Sequence, residues 1–182
     1  MTVPSFDFSK LTPLDVRAAL SATGCFRVSH PRLPPARCAS VLDDARTFFA
    51  LPLDAKLALG IDRSAHFRGY SEMRNERDFR EQIHFGVEAP AAGNGPAFLG
   101  LEGPNLWPAD SGWRTRIETY LADVAAVAED VLSSIARSLE LPPDSFQELV
   151  RDPYLLMKLK TSGAPSACDP KSVEALGSTR LD

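Results

Sequence analysis

Between Trp113 and Leu139, apolar residues return at steps of three and four. They are Trp113, Ile117, Tyr120, Leu121, Val124, Val127, Ala128, Val131, Leu132, Ile135 and Leu139, with Arg114, Arg116, Glu118, Asp123, Glu129 and Asp130 on the other face. That period predicts one long amphipathic helix. It is entered through Trp107-Pro108 with Asp110 or Ser111 as the cap, and it stops before Pro142-Pro143, since proline lacks an amide proton and disfavours helical geometry in the residue before it. A stripe of this kind must be buried against something.

The rest of the chain alternates short strands and helices. Val3 to Phe8 has the period of a strand, Thr12-Pro13 opens a helix through Leu20 that Gly24 stops, and Cys25 to Ser29 alternates again before His30-Pro31. Pro34-Pro35 begins a helix with Cys38, Val41, Leu42, Ala45, Phe48 and Phe49 on one face; Leu51-Pro52-Leu53 breaks it ahead of a short helix from Asp54 to Leu59. His66 to Tyr70 and the mixed charges from Glu72 to Arg80 read as loop or solvated helix. Glu81 to Val87 reads as a strand, Pro90 to Gly95 as a surface loop, Asp144 to Val150 as a short helix, and Tyr154 to Lys160 as a strand entering a sheet. The fold class expected is α+β and helix-rich, with the long helix central.

At 182 residues the chain has the length of one ordinary domain. A net charge of -4 gives no electrostatic footprint for nucleic acid or an anionic membrane, so neither is expected as a partner. No apolar run approaches the roughly 20 residues that span a bilayer, and Met1 to Ser9 lacks the segments of a signal peptide. The location expected is cytoplasmic. Cys25, Cys38 and Cys168 are odd in number, widely spaced and read as free buried thiols.

Chemistry-bearing residues are few. Glu81 and His84 form a Glu-x-x-His pair, which helical di-iron proteins use twice over with further glutamates. A single copy reads as a solvated or hydrogen-bonded surface pair, and no metal ligands are assigned. Arg68-Gly69-Tyr70 offers a planar guanidinium that can clamp a substrate carboxylate, and Arg68 and Tyr70 are the candidate substrate-binding residues. The structural alternative is a salt bridge from Arg68 to Glu72, Glu76 or Asp78. His66 reads as exposed, Asn105, Trp107 and Trp113 as structural, and the run from Arg74 to Glu81 as a solvated face. There is no Gly-x-Ser-x-Gly elbow and no glycine-rich phosphate loop, so no catalytic residue is assigned.

Several strings in order carry a family resemblance: Gly24-Cys25-Phe26-Arg27-Val28, Phe48-Phe49-Ala50-Leu51-Pro52, Lys56, Arg68-Gly69-Tyr70, Glu81 with Phe85-Gly86, Gly103 to Pro108, and Leu155 to Leu159. Over residues 3 to 160 the chain resembles the N-terminal half of the isopenicillin-N-synthase-like, iron(II)/2-oxoglutarate-dependent oxygenases. The resemblance implies the helix-rich half of a double-stranded β-helix (jelly-roll) whose barrel is incomplete here, with the long helix along its outside. For the complete family it implies iron(II) and 2-oxoglutarate as cofactors and a small-molecule substrate. It also places an arginine corresponding to Arg68 near the substrate in some relatives.

The family holds iron with His-x-Asp and a distant histidine, and the cosubstrate with Arg-x-Ser. His30, His66 and His84 are followed by Pro-Arg, Phe-Arg and Phe-Gly, so no His-x-Asp occurs, and the one Arg-x-Ser, Arg27-Val28-Ser29, lies ahead of all three histidines and not after a distant one. Residues 1–160 therefore read as the oxygenase N-terminal-like region and residues 161–182 as a divergent, flexible tail with little apolar surface to offset its ordering. Two functions follow. One is the N-terminal part of an oxygenase that is inactive alone and needs no cofactor by itself. The other is a non-catalytic binding or assembly module of that descent, whose unpaired apolar surface favours self-association.

Overall fold

The computed structural model describes residues 2–74, 79–91, 100–109, 111–151 and 153–162. The expected cap Asp110, most of the 90–95 loop, Glu76 and Asp78, Cys168 and nearly all of the tail lie outside the described residues. The chain divides into two units: residues 1–39 with 119–153, and residues 40–118 with 154–182.

In the first unit, strand β1 (Ser5–Asp7) pairs in parallel with β2 (Arg27–Ser29), Phe6 opposite Val28, and helix α1 (Pro13–Thr23) connects them. The start of α1 is fixed by a capping box. Thr12 Oγ1 accepts the Asp15 amide at 3.2 Å while the Asp15 carboxylate accepts the Thr12 amide at 3.1 Å. The Thr12 hydroxyl, donating to the Asp15 carboxylate at 2.6 Å, and then the Thr12 amide hold the Asp15 carboxyl below its ordinary value. Its end is Gly24, which takes φ 72° and donates to the Leu20 carbonyl, a backbone state that glycine enters without steric cost. Val16 and Ala19 of α1 are buried in this unit, as are Leu121, Ala136 and Ser138 of the long helix α4 (Ser111–Ser138). Arg17 Nε donates to the Ser138 carbonyl at 2.6 Å, satisfying one of the orphan acceptors at the end of α4. His30 Nε2 lies 3.3 Å from Asp130 of α4, so this histidine ties a turn to a helix.

The second unit is built on an antiparallel sheet in the order β3 (Gly69–Arg74), β4 (Phe79–Gly86), β5 (Leu156–Ser162). Its register sets Tyr70, Ile83 and Leu159 in one row and Gly69, His84 and Lys158 in the next. Val41, Ala45 and Phe48 of α2 (Pro35–Phe49) and Trp113 and Ile117 of α4 are buried in this unit. The rings interlock: Phe48 stands 5.3 Å from Trp113 and 5.9 Å from Tyr70, and Phe85 meets Trp113 edge-on at 5.4 Å. Arg116 forks onto Asp44 at 2.6 and 2.7 Å, holding α4 to α2. The short helix α3 (Leu53–Leu57) carries the buried Lys56.

Several expectations change. Residues 69–74 form β3, because Gly-Tyr-Ser-Glu-Met-Arg has the period of a strand once its neighbour β4 is present, although its charges read as loop or solvated helix. In place of a helix from Asp144, turns lead into a 3-10 turn at Gln147–Val150. Ala128 and Leu139 of the stripe are exposed, and the thiols are not buried: Cys25 is exposed and Cys38 half-buried, both free.

Candidate functional site

Residues opposite each other on antiparallel strands share a face, so alternation sorts the sheet of the second unit into two chemically different sides. Toward the helices point Tyr70 and Glu72 of β3, Glu81, Ile83 and Phe85 of β4, and Met157 and Leu159 of β5. On the other side lie Ser71 and Met73, Arg80, Gln82 and His84, and Lys158 and Lys160. Both carboxylates of the three described strands, Glu72 and Glu81, are on the helix side.

The helix side holds a buried ion pair. Lys56 Nζ donates to Glu81 and to the Phe49 carbonyl, and the Tyr70 hydroxyl donates to the same Glu81 oxygen at 2.6 Å. Burial first, then the bond to Glu81 and the charges of Glu81 and Glu72, push the Tyr70 phenol far above its ordinary range, so it stays a neutral donor. Glu81 is thus paired inside the protein, not solvated beside His84. Three residues apart on a strand, Glu81 and His84 project from opposite faces, and the structure does not bring them together.

Arg68, just before β3, is 1% exposed. Its Nη2 donates to the Leu101 carbonyl at 2.7 Å and its Nη1 to the His66 carbonyl at 2.8 Å, with the Tyr154 hydroxyl at 3.3 Å. The guanidinium lies flat on Gly86, where a Cβ would come within 2.4 Å of Nη2. Backbone carbonyls, not Glu72, therefore hold this arginine. Asn105 brackets the same glycine, accepting its amide at 2.8 Å and donating to its carbonyl at 2.9 Å, and also donates to Glu88 at 2.7 Å. Trp107 stacks on Phe85 at 4.9 Å and donates to Glu88, a structural part, as expected for it and for Trp113. His66 is half-buried, not exposed, with Nδ1 2.6 Å from the Gly100 carbonyl.

His84 is half-buried in the middle of the polar face and hydrogen-bonded to the Phe67 backbone, in a turn where Phe67 takes φ 55° and Gly69 φ 110°. Its Nε2 is buried without a partner. Burial first, then the Lys158 ammonium across the ladder, with Arg68 adding, hold the imidazole below its ordinary value of 6.5 and keep it neutral. Sequence reasoning passed over Lys158 and Lys160, though a signal was available: Met-Lys-Leu-Lys in a strand puts both lysines on one face.

The sequence pattern of the family described as non-haem dioxygenase in morphine synthesis, N-terminal, matches residues 3–110. The chain belongs to that family. The chain is 29% identical over 93% of its length to a 2-oxoglutarate-dependent dioxygenase of Gibberella zeae, of which it covers 49%. It spans about half the length of most of the curated relatives it matches. Its fold is that of a 2OG-Fe(II) oxygenase family protein from Caulobacter crescentus, with TM-score 0.74 at 23% identity, covering 92% of this chain and 58% of that one. It is also that of a Neurospora crassa protein in complex with alpha-KG, with TM-score 0.68 at 22% identity, covering 87% and 50%.

The described part of this chain does not fit the iron of its relatives. Among the described residues no three His, Cys, Asp or Glu side chains are grouped to hold a metal ion. His30 and His66 are engaged by Asp130 and the Gly100 carbonyl, and the open nitrogen of His84 is flanked by Lys158 and Arg68, surroundings that disfavour a cation. No helix among the described residues is long and apolar enough to cross a membrane.

Proposed function

We propose that this chain is the N-terminal layer of an iron(II)/2-oxoglutarate-dependent oxygenase that oxidises a small molecule, and that the polar face of β3, β4 and β5 is one wall of its substrate chamber. The observation that supports this is the N-terminal family match over residues 3–110 in a chain whose described histidines do not converge on a metal. On this reading the iron and 2-oxoglutarate ligands belong to a region equivalent to the other half of the relatives, and the chain alone is inactive. Arg68 serves the substrate by fixing the segment at Leu101 and adding positive charge beside His84, and Tyr70 serves it from the opposite face by orienting Glu81.

Anaerobic mixing of the chain with iron(II) and 2-oxoglutarate tests this, with the visible charge-transfer band of the chelated complex as the readout. We expect no band. A clear band that His84→Ala abolishes would place a metal site within this chain and overturn the reading. A binding-module role is favoured by a separate observation, the apolar surface left on the first unit by Leu139 and Leu149, 52% and 81% exposed. Sedimentation velocity distinguishes it: self-association supports that module, and a monomer at all concentrations counts against it.

A further inference from the structure

The charges of the three-stranded sheet are segregated by sign. Glu72 and Glu81 are on the helix side, while Arg80, Lys158 and Lys160 share the other side with His84, and Arg68 stands at the end of that row over Gly86. No acidic residue of the described strands lies on this face beside Lys158 and Lys160.

The centre of the face is also built, not merely charged. Gln82 is 6% exposed and donates from Nε2 to Ser71 Oγ at 3.0 Å, which fixes its amide beside His84. The Phe67 turn holds the ring of His84, whose Nε2 is left buried and unpartnered. A buried ring nitrogen without a partner is costly unless something binds it.

We infer that this face binds the carboxylate of a small-molecule ligand, with Lys158 and Lys160 supplying the charge and His84 Nε2 the directional contact. The inference deepens the proposed substrate-wall reading and rests on it, naming the ligand class as an organic anion. Charge-assisted hydrogen bonds from ammonium groups to a carboxylate are among the stronger polar contacts available. A proton taken up by His84 as the anion arrives turns Nε2 into a donor, and the anion then offsets the repulsion by Lys158 and Arg68, the charged groups that face the ring. Binding is therefore expected to tighten as pH falls.

The test uses the 182-residue chain labelled on its histidine rings, titrated by NMR with benzoate and, separately, with benzamide, which has the same shape without the charge. Benzoate is expected to shift the His84 ring resonances and raise its titration midpoint, with His30 and His66 unmoved. The variants Lys158→Met and Lys160→Met should each weaken the response about tenfold. Unchanged His30 and His66 signals in the variants show that they are folded. An equal response to benzamide, no response to benzoate, or a response that survives both lysine substitutions would overturn the proposal. The iron and 2-oxoglutarate experiment does not involve these lysines, so failure here leaves the family reading intact.

Discussion

Substituting Lys56 by Met takes the ammonium from the Glu81 carboxylate, 12% exposed as a side chain, and leaves it the Tyr70 hydroxyl as a donor. The ammonium it loses is 9% exposed, so the small values measured for surface ion pairs do not apply. Removing one partner of a buried pair costs about 3–5 kcal/mol, because the remaining charge stays desolvated. Glu81→Gln should cost a comparable amount, since it strands Lys56 on the Phe49 carbonyl. The double variant, which buries no charge at this point, should be more stable than the sum of the single losses implies by about 2 kcal/mol or more. Urea unfolding followed by tryptophan fluorescence is the assay, since Trp113 and Trp107 report on the same core. Additivity within about 0.5 kcal/mol would refute the argument, by showing that the pair is solvated or that its members act independently.

The other predictions concern the neighbouring strand ends and the polar face. Asn105→Ala strands the amide and carbonyl of Gly86 and should cost about 2–4 kcal/mol in the same unfolding assay. Gly86→Ala drives a methyl into a guanidinium pinned by two carbonyls and should cost about 1–3 kcal/mol, with part of the loss relieved when Arg68 is also replaced by Ala. His84 is held below 6.5, so below that pH the unfolded chain binds a proton that the folded chain refuses; stability falls as pH drops from 6.5 through the folded value and then levels off. The urea midpoint should show this slope in the wild type and lose it in His84→Gln.

Much of the fold was legible because its signals are local. The three-and-four spacing from Trp113, the Thr12-Pro13 start, and Gly24 as a stop each fix a boundary without reference to the rest of the chain. Strand β3 was missed because the sense of its alternation emerges only when β4 lies alongside, with Tyr70 opposite Ile83 and Ser71 opposite Gln82. The site was legible in part. Arg68 and Tyr70 stood out as residue types, yet sequence alone could not show that both would be buried, one on carbonyls and the other on Glu81. His84 was weighed with Glu81 at helical spacing, and a strand sends the two to opposite sides. Exposure of Leu139 was likewise beyond a periodicity argument, which finds an apolar face but not what covers it.

The two lysines of β5 have a consequence for how the strand finds its place. Because side chains alternate with a period of two, a slip of one residue would drive Lys158 and Lys160 toward Phe48 and Trp113 and lift Leu159 into solvent. Mispaired forms of this hairpin-distant strand are thus penalised by buried ammonium groups, not merely by poorer packing. The same alternation of lysine with leucine and methionine also makes β5, an edge of the described sheet, a poor template for other chains.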